Sequence, residues 1–151
     1  MKHALRVIDI LMFMAVMWGI LSSIPLKYWG FEPLDISVAD STPDKAPKVV
    51  FDYVVTKPIL LNKSTAIYSL NGNQLVCDDY SSVVRYVPEM RLPSTLTIQW
   101  FAPHDWRCSY LSGGSYYMEV CWTAPDLLDG VIPDKTVCKE SNVFNIKGYL
   151  E

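Results

Sequence analysis

Histidine is scarce in this chain: His3 and His104 are the whole supply among 151 residues. A histidine-rich metal centre has too few groups to form. No CxxC or CxxH pair starts a zinc site. No DxDxDG loop supports calcium, so Asp78-Asp79, Asp126, Asp129 and Asp134 read as solvated turns. Gly113-Gly114 opens a strand pattern rather than a helix, which removes a phosphate cradle. His104-Asp105 resembles a fragment of a hydrolytic site, but a lone histidine in a loop of Pro and Trp reads as structural. Basic residues are thin as well: 13 Lys and Arg stand scattered against 16 Asp and Glu, for a net charge of −3. Nucleic acid binding needs a basic stripe, and none exists. No catalytic residue, cofactor or metal is expected, and the chain is not expected to be an enzyme.

What the chain has is apolar residues, 50% of the total, enough for a packed core. They are unevenly spread. Residues 7–24 carry Asp9 as their only charge. As a helix this run covers about 27 Å, close to the hydrocarbon thickness of a bilayer. Lys2 and Arg6 precede it, and Lys27, Tyr28 and Trp29 follow it as an interfacial cation and aromatic pair. The excess of basic residues on the near side predicts a cytoplasmic N-terminus and a periplasmic or otherwise extracytoplasmic C-terminal domain. A cleaved signal peptide needs small residues at −3 and −1 just beyond the apolar run. Ser22-Ser23-Ile24-Pro25 offers no such pair, so the segment is expected to stay as a single-pass signal-anchor in the lipid bilayer.

The expected organisation is a cytoplasmic flank and transmembrane helix over 1–29, a Pro-rich linker over 30–48, a β-sandwich over 49–147 and a tail over 148–151. Pro33, Pro43 and Pro47 with polar neighbours make the linker read as an extended stalk. From residue 49 onward short strands alternate with turn signals. Candidates are 49–56, 64–70 followed by Asn71-Gly72, 82–87, 95–101, 115–123 and 136–146. In 95–101 and 115–123 a period of two places Leu96, Ile98 and Trp100, and Tyr116, Met118, Val120 and Trp122, on one face of each strand. These two strands are expected to pair at the centre of the domain. The pattern is that of an antiparallel sandwich and not of βαβ units.

Cys77, Cys108, Cys121 and Cys138 all lie in the part expected outside the cytoplasm, which suggests two disulfides with three possible connectivities. Strand parity favours one. Cys121 points away from the face of Val120 and Trp122, and Cys138 beside Val137 is placed to meet it from the next strand, leaving Cys77 for Cys108.

Gly114-Ser115-Tyr116-Tyr117-Met118 resembles the approach to strand F of immunoglobulin-like domains, where a tyrosine two residues before the usual cysteine forms a tyrosine corner. Trp100 would then be the buried tryptophan of strand C. Met118 stands in the cysteine position and 64–70 has no cysteine, so the resemblance implies architecture without the inter-sheet disulfide. The layout of Lys57-Pro58, the 65–70 strand, Cys77 and the aromatic strand from Tyr116 also resembles small single-pass membrane proteins of phages and prophages, which lend no established activity.

Two functions follow as expectations. The first is a tethered, non-catalytic binding module whose loops 71–73 and 102–112 meet a protein or envelope partner. Trp106, Arg107 and Tyr110 are its candidate contact residues, being the types that carry interface energy. The second is an assembly component, a minor pilin-like subunit or a phage morphogenesis or lysis factor. Its helix would pack against others through Gly19, Ser22 and Ser23.

Overall fold

The computed structural model describes residues 2–90, 96–125 and 133–148. The apolar run forms α1 (Lys2–Ser23), and its window Arg6–Ser23 has a mean hydropathy of 1.6 with none of it buried against the rest of the chain. It is long and apolar enough to cross a membrane. A 3₁₀ turn, Leu26–Trp29, follows at once and is closed by Gly30, whose φ of +116° lets its N–H reach the Lys27 carbonyl.

The rest is mainly β, in two antiparallel sheets. The first has the order β1-β2-β5, with β1 Phe31–Val38, β2 Lys48–Val55 and β5 Leu96–Thr97. The second has the order β4-β3-β6-β7, with β3 Ile59–Ser69, β4 Gln74–Tyr86, β6 Gly114–Ala124 and β7 Lys135–Glu140. The short β8, Phe144–Ile146, continues the pairing with β6 at its Gly114 end. The β3–β4 hairpin turns at the expected Asn71-Gly72, where Gly72 and Asn73 take positive φ of 83° and 54°.

The stalk reading of 30–48 is corrected by this arrangement. Phe31, Ile36 and Val38 are buried, and β1 is the edge strand of the first sheet. Pro33 is tolerated because an edge strand has a free side and because the register slips between Pro33 and Asp35. The loop after β1 is also fastened: the Asn145 N–H donates to Asp40 Oδ1, and Ser41 bridges to Ile146. The sheet domain therefore begins at residue 31, not 49. Of the expected tail, only Gly148 lies among the described residues.

The expected strand 95–101 is also corrected. Leu96 and Thr97 pair with Val49 and Lys48 in the first sheet, and Ile98–Phe101 is a single helical turn, α2, closed by the Ala102 N–H on the Ile98 carbonyl at 2.8 Å. Its buried residues are Ile98 and Phe101, three apart, which is a helical spacing. Pro103 and the β3 side chains that hold the Trp100 and Phe101 carbonyls favour this turn over a ladder. The partners of β6 are β3 on one side and β7 with β8 on the other. Asp78 and Asp79 lie within β4, not in a turn, and Asp79 is buried. The expected strand 136–146 is broken by Asn142, whose side chain holds both the N–H and the carbonyl of Val38 and ties the two sheets together.

Between the sheets the core is aromatic. Phe51 stacks on Trp122 with ring centres 5.0 Å apart and 9° between planes, and Phe31 packs against Tyr86 and Trp122. Trp122, with no exposed surface, fills the place expected of Trp100, which is only half-buried on α2. The Tyr116 hydroxyl donates to the Ser112 carbonyl at 2.9 Å, four residues upstream.

Candidate functional site

Residues 98–110 have no ladder to hold them, so side chains of β3 and β4 take over that role. On β3, the inward face reads Leu61, Lys63, Thr65, Ile67. Lys63 is 3% exposed, and its Nζ donates to the Trp100 carbonyl at 2.7 Å while lying 4.0 Å from the centre of the Trp100 ring. Burial pushes its ammonium down to about 8, partly countered by the charge of Asp79. The Thr65 hydroxyl donates to the Phe101 carbonyl at 2.9 Å.

The β4 strand fastens the second half. Asp79 accepts the His104 N–H at 2.7 Å and faces His104 Nδ1 at 3.3 Å. Asp105 caps the 3₁₀ turn Trp106–Ser109 by accepting the Arg107 N–H at 3.0 Å, and it accepts the Asp78 N–H from β4 at 3.3 Å. The Arg107 side chain forks onto the same carboxylate, with Nε at 3.0 Å and Nη2 at 2.7 Å. Those hydrogen bonds hold the Asp105 carboxyl below its usual range, and Asp105 raises Arg107 in return. Finally Cys108 is bonded to Cys77 of β4, both fully buried.

The outcome is a short turn, fixed from behind, that presents its large side chains to solvent. Trp106 is 71% and Tyr110 72% exposed, and Arg107 lies between them in sequence with its side chain 54% exposed. The structure thus places all three candidate contact residues on one short stretch, with Trp106 outside the core. The other bridge, Cys121–Cys138, links opposed positions of β6 and β7 on the outward face of the second sheet. Among the described residues, both sulfur clusters that approach metal-ligand spacing, Cys77 with Cys108 and Asp105, and Cys121 with Cys138 and Glu119, are occupied by these disulfides.

The sequence offered little notice of Lys63, Thr65, Asp79 and Asp105. A charged residue in register with Leu61 and Ile67 is the one signal of Lys63's burial, visible only once β3 is extended back to Ile59.

No family model, no curated protein and no solved structure matches the chain.

Proposed function

We propose that this is a membrane-anchored binding module without catalytic activity, which meets a protein or envelope partner through Trp106, Arg107 and Tyr110 on the far side of the membrane. One observation carries the reading. An irregular segment has been fastened by a disulfide, a buried ammonium and two buried aspartates, and yet Trp106 and Tyr110 at its far end stay in solvent. Rigid exposed Trp, Tyr and Arg are the groups that dominate interface energies, because little side-chain entropy is lost when they dock. The apolar α1 and the two disulfides support a single-pass anchor with the sheets in an oxidising, extracytoplasmic compartment. The turn of Tyr116 onto Ser112 supports the immunoglobulin-like resemblance at the level of one corner. The phage and prophage likeness rests on sequence layout alone.

The test is a photo-crosslinking amino acid placed at Trp106, with Val50, 45% exposed on the first sheet, as the control position. In native membranes position 106 should give a discrete adduct that position 50 does not. Identical adduct patterns from both, in folded protein, would remove the turn as a docking site. The second reading, an assembly component packed through α1, is favoured by Gly19, against whose Cβ position no atom within 4 Å stands. It predicts crosslinks from position 19 to a second membrane helix.

A further inference from the structure

The outward face of the second sheet holds another cluster, which meets the 3₁₀ turn only at Asp78. Across the strands, Ala66 of β3 stands between Asp78 of β4 and Glu119 of β6. Along β3 it is followed on the same face by Tyr68, which stacks on Tyr117 with centres 5.1 Å apart. Tyr80 of β4, opposite Ser64, is 74% exposed. The small side chain of Ala66 leaves a hollow of about 170 Å³, lined by Ser64, Ala66, Tyr68, Tyr80, Glu119 and Cys121.

Its electrostatics are out of balance. Glu119 is directly opposite Glu140 on β7, an arrangement of like charges that weakens a sheet. Among the described residues, no cation reaches ion-pair distance of either. The nearest polar contact of Glu119 is the Cys121 sulfur at 3.2 Å, which is bridged to Cys138 and has no proton to donate. Burial and then the Glu119 charge push the Tyr68 phenol up. Exposed tyrosine faces add their own attraction for cations.

We infer that this hollow receives an arginine side chain of a protein partner, its guanidinium lying on the Tyr80 ring and forked onto Glu119. Guanidinium is the best fit among cations: it is planar, weakly hydrated and able to pair bidentately with a carboxylate while stacking on an aromatic ring. A lysine ammonium is strongly hydrated and gains less from the open tyrosine wall. The neighbouring Arg107 already forks onto a carboxylate, that of Asp105, and lies 3.6 Å from Asp78. The site is distinct from the Trp106 turn and stands whether or not that turn docks a partner.

The experiment uses the full chain in nanodiscs of zwitterionic lipid, titrated with a capped tetra-arginine peptide and followed by NMR. Saturable shifts at Ala66, Tyr68 and Tyr80 are expected, with tetra-lysine binding about tenfold more weakly. Glu119→Gln should weaken tetra-arginine by about tenfold, the size of one charge-assisted bond, and should raise Tm because it relieves the repulsion with Glu140. Loss of binding with a gain in stability distinguishes a ligand group from a structural one. Tyr80→Ser, at an exposed position, should keep Tm and lose the preference for arginine. Equal binding of the two peptides, displacement by tetramethylammonium, or an unchanged affinity in Glu119→Gln would each overturn the assignment.

Discussion

The indole N–H of Trp122 donates to the hydroxyl of Tyr86 at 3.0 Å, inside a core from which both side chains are fully excluded from solvent. The two residues come from β6 and β4, on either side of β3, so one hydrogen bond spans three strands of the second sheet. Phe51 from the first sheet lies flat on the same indole.

Removing that indole should be the most damaging single change in the domain. Trp122→Ala is expected to cost about 3–5 kcal/mol through the cavity it leaves, a large part of a typical domain's stability. Tyr86→Phe, which orphans the buried N–H, should cost about 1–3 kcal/mol. Trp100→Ala, at a half-buried position, should cost less than Trp122→Ala. Urea titrations of the three variants check the order.

Stability should rise and then fall in the alkaline range. The ammonium of Lys63 titrates near 8 in the folded protein and at its ordinary 10.5 when unfolded. Between those values the unfolded chain holds more protons, so raising pH favours the fold, by on the order of 3 kcal/mol in full. Tyr86 has the opposite sign: burial pushes its phenol up to about 12 from 10, so its contribution is complete below pH 10 and is lost as pH climbs through 12. Melting curves from pH 7 to 11 should show the rise, and Lys63→Met should abolish it. A flat profile in the unmodified protein would contradict the burial of the charge.

Cutting the Cys77–Cys108 bridge should loosen the Trp106 turn more than the sheets. In the double variant Cys77→Ser with Cys108→Ser, amides of 103–110 should exchange much faster while the β3–β6 ladder stays protected. The expected global loss is about 2–4 kcal/mol. Uniform acceleration across both sheets would mean that the bridge holds the fold rather than the turn.

Thiol state reports topology. Protein taken from membranes and alkylated without reductant should carry no label on Cys77, Cys108, Cys121 or Cys138, as expected for a domain in an oxidising compartment. Labelled cysteines in folded, freshly isolated protein would place the sheets in the cytoplasm.

Two parts of the molecule differ in how openly the sequence declares them. The strands β3 and β6 announce themselves because each buries one face against the first sheet and shows the other to solvent, so period two survives in the residue order. The parity of β6 also carries Cys121 outward to Cys138. The 95–101 segment misleads for a local reason: Leu96, Ile98 and Trp100 alternate, but after Thr97 the chain winds, and Ile98 with Phe101 is the true inward pair. Pro33 misleads similarly, since a proline that breaks a central strand is harmless at a bulged edge. Lys63 and Asp79 are illegible from composition because their burial is licensed by carbonyls and N–H groups of a distant loop. The loop position of Trp106, Arg107 and Tyr110 was legible, but the clamp of Asp105 beneath them was not.

Seven residues, 24–30, separate α1 from β1, and the Lys135 ammonium donates to the Ser22 carbonyl at the end of the helix. With α1 in a bilayer, so short a tether gives the domain almost no vertical travel. A membrane-bound partner, if the proposed reading holds, would be met within reach of that tether, where confinement would raise its effective concentration. A change in tilt of α1 would swing the tyrosine-faced sheet and the Trp106 turn together, as one lever.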